Sequence, residues 1–254
     1  MDLPATAPDG HPDVKYGLVE SGSVFETTGP FSEDHTGASF ALTKVRLLPP
    51  CWPTKIVCVG RNYAAHAREL GNEPPGEPII FLKPHSSLLA HGDSIVYPPA
   101  TQHLSYEGEL GLVIGARARN IPAADAERHI FGYTIVNDVT ARDLQKNDPM
   151  WTRAKGFDTF CPAGPWIVPR DDVRVEELRV RTYVNDEVKQ DAPVTDMIFS
   201  IGAIIEFVSG FMTLEPGDLI ATGTPPGVGP MSAGAEVQVL IEGIGTLQNH
   251  VIGG

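Results

Sequence analysis

Cysteine is scarce in this 254-residue chain, with three in all. Cys51, Cys58 and Cys161 are odd in number and lack the close paired spacing of zinc sites, so a reduced compartment is the simpler expectation. Basic residues are also few. Nineteen Lys and Arg face 32 Asp and Glu, a net charge of −13, which argues against nucleic acid or an anionic membrane as a partner. Long hydrophobic runs are missing, since no stretch reaches the roughly 18 apolar residues of a membrane span. Met1-Asp2-Leu3-Pro4 opens a polar segment with no basic or apolar leader region, and the expected location is the cytoplasm. Nucleotide loops are missing too. Gly223-Thr224-Pro225-Pro226-Gly227-Val228-Gly229 has neither a Gly-Lys-Ser/Thr ending nor G-x-G-x-x-G spacing, so it reads as a Pro-Gly turn with Thr224 directed into a pocket.

Glycine and proline are plentiful, at 26 and 23. With many short apolar runs they predict strands and turns, a mostly β chain with short helices of the α+β class. Residues Met1 to Asp13 have no periodicity and read as an extended arm. Tyr16 to Val19 and Ser23 to Glu26 form a hairpin around Glu20-Ser21-Gly22, and a third apolar stretch runs from Leu42 to Leu48. Pro49-Pro50-Cys51-Trp52-Pro53 is a stiff connector. It divides a small N-terminal β region, residues 1–50, from a main domain, residues 51–254.

The centre of that domain is Tyr106-Glu107-Gly108-Glu109-Leu110-Gly111-Leu112-Val113-Ile114, two carboxylates leading into a buried strand. Strand alternation points Glu107 and Glu109 from one face, with Cα atoms roughly 7 Å apart. Like charges so placed repel unless a cation joins them. An all-carboxylate site suits Mg²⁺, Mn²⁺ or Ca²⁺ better than zinc, although two glutamates on a solvated edge would give the same pattern. A strand over Gly132 to Asn137 ends at Asp138, either a third ligand or the N-cap of a helix through Ala141 and Leu144.

Lys55 to Val59 is an apolar strand, and Asn62 caps a predicted two-turn helix over Tyr63 to Leu70, with Gly71 at its end. His66 and Glu69 share a face of that helix as an acid–base pair or as a surface ion pair. Pro78 to Pro84 is a further strand, Ala123 to Ile130 a helix, and Thr152 to Phe160 a turn-rich segment around Lys155. A hairpin turns at Asn185-Asp186, and Phe199 to Met212 is a helix whose apolar stripe is core packing. Leu219 to Thr222 is a strand, and Val237 to Ile241 with Thr246 to Val251 is the closing hairpin.

Six blocks, in one order, resemble the fumarylacetoacetate hydrolase family from about Lys55 to the C-terminus. They are Gly60-Arg61-Asn62-Tyr63 with His66 and Glu69, Phe81-Leu82-Lys83-Pro84, Glu107-Gly108-Glu109, Asn137 to Gln145, Ala154 to Asp158 and Thr222 to Gly229. The resemblance is to bacterial acylpyruvate hydrolase or 2-hydroxyhepta-2,4-diene-1,7-dioate isomerase-like members. It implies a mixed β-sandwich roll, a homodimer, and a divalent metal, Mg²⁺ or Mn²⁺ with Ca²⁺ as a substitute, held by Glu107, Glu109 and Asp138. Arg142, Gln145, Lys155 and Thr224 match substrate-binding positions, and His66, Glu69 and Lys155 match catalytic ones.

The implied chemistry is hydrolysis of a C–C bond in a 2,4-dioxo acid, releasing pyruvate as an enolate whose charge the metal and Lys155 stabilise while His66 activates water. Decarboxylation of oxaloacetate and isomerisation of a 2-hydroxy-dienoic acid pass through a similar species and are the alternatives. A non-catalytic protein with a structural Ca²⁺ is the reading of a different class. It leaves His66, Glu69 and Lys155 without a purpose.

Overall fold

The computed structural model describes residues 14–254; the arm expected over Met1 to Asp13 lies outside them. The chain divides into two compact units, Met1–Leu47 and Leu48–Gly254. The described part of the first is a three-stranded antiparallel sheet of β1 (Tyr16–Glu20), β2 (Ser23–Thr27) and β3 (His35–Ala41). Ser21 and Gly22 both have positive φ, 49° and 80°, as a two-residue turn matched to strand twist requires. The third strand is not the apolar stretch expected at Leu42 to Leu48. It is the polar, mostly exposed segment before it, and Leu42–Lys44 is a 3₁₀ turn. An edge strand with neither face buried carries no alternation to read.

In the second unit, strands numbered in chain order build two mixed sheets. The seven-stranded sheet runs β5 (Ile79–Lys83), β4 (Ile56–Gly60), β15 (Leu219–Ala221), β9 (Gly108–Ile114), β10 (Ile130–Asn137), β12 (Cys161–Pro169), β6 (Leu88–Leu89). The five-stranded sheet runs β14 (Glu187–Pro193), β13 (Arg179–Val184), β16 (Glu236–Ile241), β17 (Gly245–Gly253), β7 (Ser94–Tyr97), and a two-stranded ladder joins β8 (Leu104–Ser105) to β11 (Thr140–Ala141). β9, β10 and β12 face β13, β16 and β17 across the core. Leu110, Leu112 and Ile135 pack there with Val180, Val239, Ile241 and Leu247. The mostly β class with short helices is therefore the observed one.

The helices are α1 (Ala64–Glu69), α2 (Arg142–Asn147), α3 (Thr152–Lys155) and α4 (Ile201–Phe211). Ser200 caps α4 by accepting from the Ala203 N–H. Ile204, Ile205 and Val208 bury its apolar stripe as expected, whereas Phe211 at the stripe's end is 54% exposed. The helix expected over Ala123 to Ile130 is a 3₁₀ turn at Ala123–His129, and the turn-rich stretch around Lys155 contains α3.

Asn62 does not cap α1. The N-cap is Tyr63, and no side chain bonds there. Instead the buried Asn62 amide donates to the Thr222 and Phe199 carbonyls, at 2.8 and 3.1 Å, and its oxygen accepts from the Phe199 N–H at 2.8 Å. One side chain thus ties the exit of β4 to the exit of β15 and the approach to α4.

Candidate active site

The register between β9 and β10 assembles the acidic cluster. Glu109 lies opposite Val136 and Gly108 opposite Asn137. The ladder continues one step further, with the Asp138 N–H donating to the Glu107 carbonyl at 2.8 Å. Strand alternation sends Glu107 and Glu109 to one side and Gly108 to the other. A Cβ at Gly108 would collide with Thr182 Oγ1 and stand 2.9 Å from Val239 Cγ1, so glycine here admits the second sheet. Oxygens of Glu107, Glu109 and Asp138 lie within 4.8 Å of one another, and all three residues are buried. The open question at Asp138 is thereby answered: α2 begins at Arg142 with Ala141 as its cap, and Asp138 belongs to the cluster.

Cations enter from three elements. Lys155, on α3 and 2% exposed, donates to Glu107 Oε2 at 2.8 Å and to Asp138 Oδ2 at 2.6 Å. Lys83, at the end of β5, donates to Asp138 Oδ1 and, at 3.1 Å, to the Val139 carbonyl. Arg142 Nη2 forms an ion pair with Glu107 Oε1 at 2.5 Å, outside hydrogen-bond geometry, and its Nη1 donates to Gln145 Oε1 at 3.0 Å. Among the described residues Glu109 receives none of these cations and accepts only from the Gly223 N–H, at 2.8 Å.

The proton affinities follow. At Glu107 burial opposes charge, but Arg142 and Lys155 outweigh it and hold the carboxyl well below the usual range. Burial, with Asp138 and Glu107 alongside, pushes Glu109 well above it. Lys155 is opposed by its own burial, yet Asp138 and Glu107 raise it and keep it an ammonium ion.

Three buried carboxylates that converge from two paired strands, one of them with no cation of its own, fit a divalent ion with oxygen ligands. Removing three carboxylates from water is costly unless charge is returned to them. Glu109 is where that return is incomplete.

The cluster opens into a cavity of about 270 Å³ lined also by His66, Arg61, Phe81, Arg142, Gln145, Trp151 and Thr224. His66, on α1, is 3% exposed. Its Nδ1 stands 3.2 Å from Glu69 Oε2, and Glu69 is held in turn by the Gly227 N–H at 3.0 and 3.2 Å. Burial lowers the His66 pKa below that of ordinary imidazole, and Glu107 and Glu69 offset only part of this. The ring is therefore neutral near pH 7, with Nε2 the nitrogen not engaged by Glu69.

Not every expected substrate contact is free. Thr224 lines the cavity, but its hydroxyl donates to the Gly108 carbonyl at 2.9 Å and accepts from Gln190 Nε2 at 2.7 Å, so it braces the glutamate strand. Gln190 also accepts from the Gly108 N–H at 3.0 Å. Arg153, near the site in sequence, is paired with Asp148 on the surface. The residues that sequence reasoning left without a role are Lys83 and Gln190, and Asn62 it read as a helix cap rather than a brace. Lys83 had a signal: alternation along β5 places it on the same face as Phe81, and a lysine on an inward face requires an acidic partner.

A sandwich with a buried carboxylate triad at strand ends, braced by lysines and opening into a small cavity, is the architecture of a metal-assisted enzyme. The model of the fumarylacetoacetate (FAA) hydrolase C-terminal domain matches residues 55–252, and that of the Rv2993c-like N-terminal region matches residues 9–50. The chain belongs to the fumarylacetoacetate hydrolase family, whose members are enzymes. It is 52% identical over 221 residues to protein Rv2993c of Mycobacterium tuberculosis, covering 85% of this chain and 82% of that protein. To the oxaloacetate tautomerase YisK of Bacillus subtilis it is 44% identical over 225 residues, 84% of this chain and 75% of the other. Among solved structures, 2-hydroxyhepta-2,4-diene-1,7-dioate isomerase from Mycobacterium marinum superposes with a TM-score of 0.84 at 48% identity, covering 91% of this chain and 88% of that one. Among the described residues no helix is long and apolar enough to cross a membrane.

Proposed function

We propose that the protein interconverts the keto and enol forms of a short 2-oxo acid, with Mg²⁺ or Mn²⁺ at Glu107, Glu109 and Asp138. The observation that carries this reading is the pairing, in one cavity beside the triad, of a histidine kept neutral and a lysine kept charged. Two titratable groups whose surroundings push them apart are an acid and a base ready for use. The ion would supply Lewis acidity toward an oxo-carboxylate. His66, with Nδ1 held by Glu69, takes a proton from C3 through Nε2. The electron pair of that C–H bond becomes the C2–C3 double bond, and the oxygen on C2 gains the charge. Lys155 donates a hydrogen bond to that oxygen, which takes a proton from water to complete the enol, while His66 returns the proton it took from C3 to water. The cavity, at about 270 Å³, lies below the usual range for drug-sized ligands, roughly 300–1,000 Å³, and suits a molecule of a few carbons. Relatives named as a tautomerase and an isomerase support proton transfer as the chemistry.

Hydrolysis of a 2,4-dioxo acid is the second reading, favoured by the Glu69 anchor on Gly227. A base so fixed can activate water as readily as it can remove a C3 proton. One experiment separates them. Exchange of the C3 protons of oxaloacetate in D₂O, followed by NMR with added Mn²⁺, is expected to be accelerated and to stop on chelation. Pyruvate release from acetylpyruvate at a comparable rate would move the assignment to hydrolysis, and CO₂ release from oxaloacetate outpacing exchange would move it to decarboxylation. If neither acid reacts, both readings fall.

A further inference from the structure

We infer that Arg61 is the specificity-determining residue of the cavity, holding the second carboxylate of a 2-oxo dicarboxylate, an inference that rests on the 2-oxo acid reading above. Four cationic side chains line the cavity: Arg61, Arg142, Lys146 and Lys155. Lys155 is engaged by Glu107 and Asp138, and Arg142 by Glu107 and Gln145. Lys146 is exposed. Among the described residues the half-buried Arg61 guanidinium has no carboxylate or hydrogen-bond partner, and its recorded contact is the face of Trp151, with Cζ 5.8 Å from the ring centre.

The stack is built, at some cost to the backbone. Arg61 has φ of 56°, a left-handed conformation that a long side chain rarely adopts and that concentrates at functional positions. Gly60 before it has no side chain to obstruct the indole; a Cβ there would meet Trp151 Cζ3 at 2.9 Å. Trp151 in turn meets Phe81 edge to face at 5.3 Å, and Phe81 stands 5.0 Å from Lys155 Nζ. Phe81 and Trp151 therefore link, contact by contact, the lysine beside the triad to the guanidinium in the lining of one cavity. A ligand with a carboxylate at each end and a short carbon chain between matches that sequence of cation, apolar wall and cation. Its oxo-carboxylate end faces the triad and Lys155, and its other carboxylate takes two N–H groups of a fork already oriented by stacking.

The test uses two acids that differ only at that far end: oxaloacetate, and 2-oxobutyrate, in which a methyl group replaces the second carboxylate. Apparent KM from C3 proton exchange, and affinity by isothermal titration of the Mn²⁺-loaded protein, are measured for wild type and for Arg61→Met. Wild type is expected to prefer oxaloacetate by about 10- to 100-fold, the worth of a charge-assisted pair of hydrogen bonds. In Arg61→Met that ratio falls to near one. Arg61→Lys, which keeps the charge and loses the fork, retains part of the ratio, and Trp151→Leu, which removes the platform, lowers it. These two also carry the test if Arg61→Met does not fold. A wild-type protein that handles both acids without preference, or a preference that survives Arg61→Met, refutes the role of Arg61 alone. A wild-type protein that neither binds nor exchanges either acid overturns the 2-oxo acid reading and this inference with it.

Discussion

Glu107→Gln and Glu109→Gln each replace one carboxyl on the same face of the same strand, yet the structure gives them different consequences in metal-free protein. Glu107 is paired with Arg142 at 2.5 Å and Lys155 at 2.8 Å, partners whose side chains are 14% and 2% exposed. Deleting one member of a buried pair strands the others, typically at about 3–5 kcal/mol. Lys155 keeps Asp138, so the lower figure, about 3 kcal/mol, applies. For a chain of this size each kcal/mol moves Tm by roughly 2–4 °C, and Glu107→Gln is expected to melt roughly 6–12 °C below wild type. Glu109 has two carboxylates for neighbours and a single bond from Gly223. Its carboxyl is already driven to hold a proton, and a glutamine oxygen keeps the Gly223 bond. Glu109→Gln should therefore melt within about 2 °C of wild type. Adding Mn²⁺ at about 100 times its Kd stabilises wild type by about 2.7 kcal/mol, and both variants lose most of that increment because each lacks a ligand. Differential scanning fluorimetry in EDTA and then in Mn²⁺ reads all of this. Equal losses for the two variants in EDTA, or a full Mn²⁺ increment in either, would refute the account of the cluster.

The other expectations are simpler. His66→Ala should slow C3 exchange by about 10²- to 10⁴-fold while leaving the Mn²⁺-induced rise in Tm, since among the described residues the ring forms no hydrogen bond or ion pair with a carboxylate of the triad; loss of that rise would place His66 among the ligands. Lys83→Met removes the donor to Asp138 and to the buried Val139 carbonyl, and its urea midpoint should fall by the equivalent of about 3 kcal/mol; an unchanged midpoint would show that Lys155 suffices alone. Gly108→Ala forces a methyl into Thr182 and Val239 and should cost about 1–3 kcal/mol, partly recovered by adding Thr182→Ala, whereas two additive losses would contradict the contact. For pH, the Glu109 carboxyl is raised in the folded protein, so its contribution to metal-free stability is present at low pH and lost as pH rises through its folded value. A divalent ion must displace that proton. Mn²⁺ affinity by titration calorimetry should therefore increase as pH rises toward the raised Glu109 value, and a flat profile would mean that Glu109 is already ionised.

Much of this site was legible because strands expose their logic in pairs. Glu107 and Glu109 around a glycine, followed by an apolar run, and Asp138 at the end of the next long strand, are positions that an antiparallel register brings together. His66 and Glu69 were legible for the corresponding helical reason, three residues on one face. Lys155 was not, since nothing in Thr152 to Phe160 marks a lysine as buried; its partners lie 17 and 48 residues away. Asn62 misled because asparagine is a good cap and an equally good buried brace, and only tertiary contacts with Phe199 and Thr222 decide between them. Thr224 does line the cavity, as its Pro-Gly turn suggested; what the sequence did not show is that its hydroxyl also bonds to Gly108 and Gln190. The third strand of the N-terminal unit was invisible because no face of it is buried.

The two halves of the site differ in how firmly they are held, and that difference bears on function. The triad sits at the ends of central strands, buried, with Lys83, Lys155, Arg142 and Gly223 fixing its members and the Asn137 side-chain oxygen accepting from the Glu107 N–H at 2.9 Å. His66 rides on a helix of six residues, too short to be stable alone, and its partner Glu69 reaches the rest of the protein through the exposed Gly227 N–H. A six-residue helix that buries only His66 and Ala67 and holds its Glu69 through a loop N–H opens more readily than a sheet centre. Ion binding should therefore be insensitive to changes in α1, while the rate of proton transfer depends on them. Glu69→Gln would test the division, because it weakens the bond that orients His66 and the tether to Gly227 together and leaves the triad untouched. A fall in C3 exchange with an unchanged Mn²⁺ affinity is the expected result. A parallel loss of ion binding would mean that α1 and the triad form one cooperative unit.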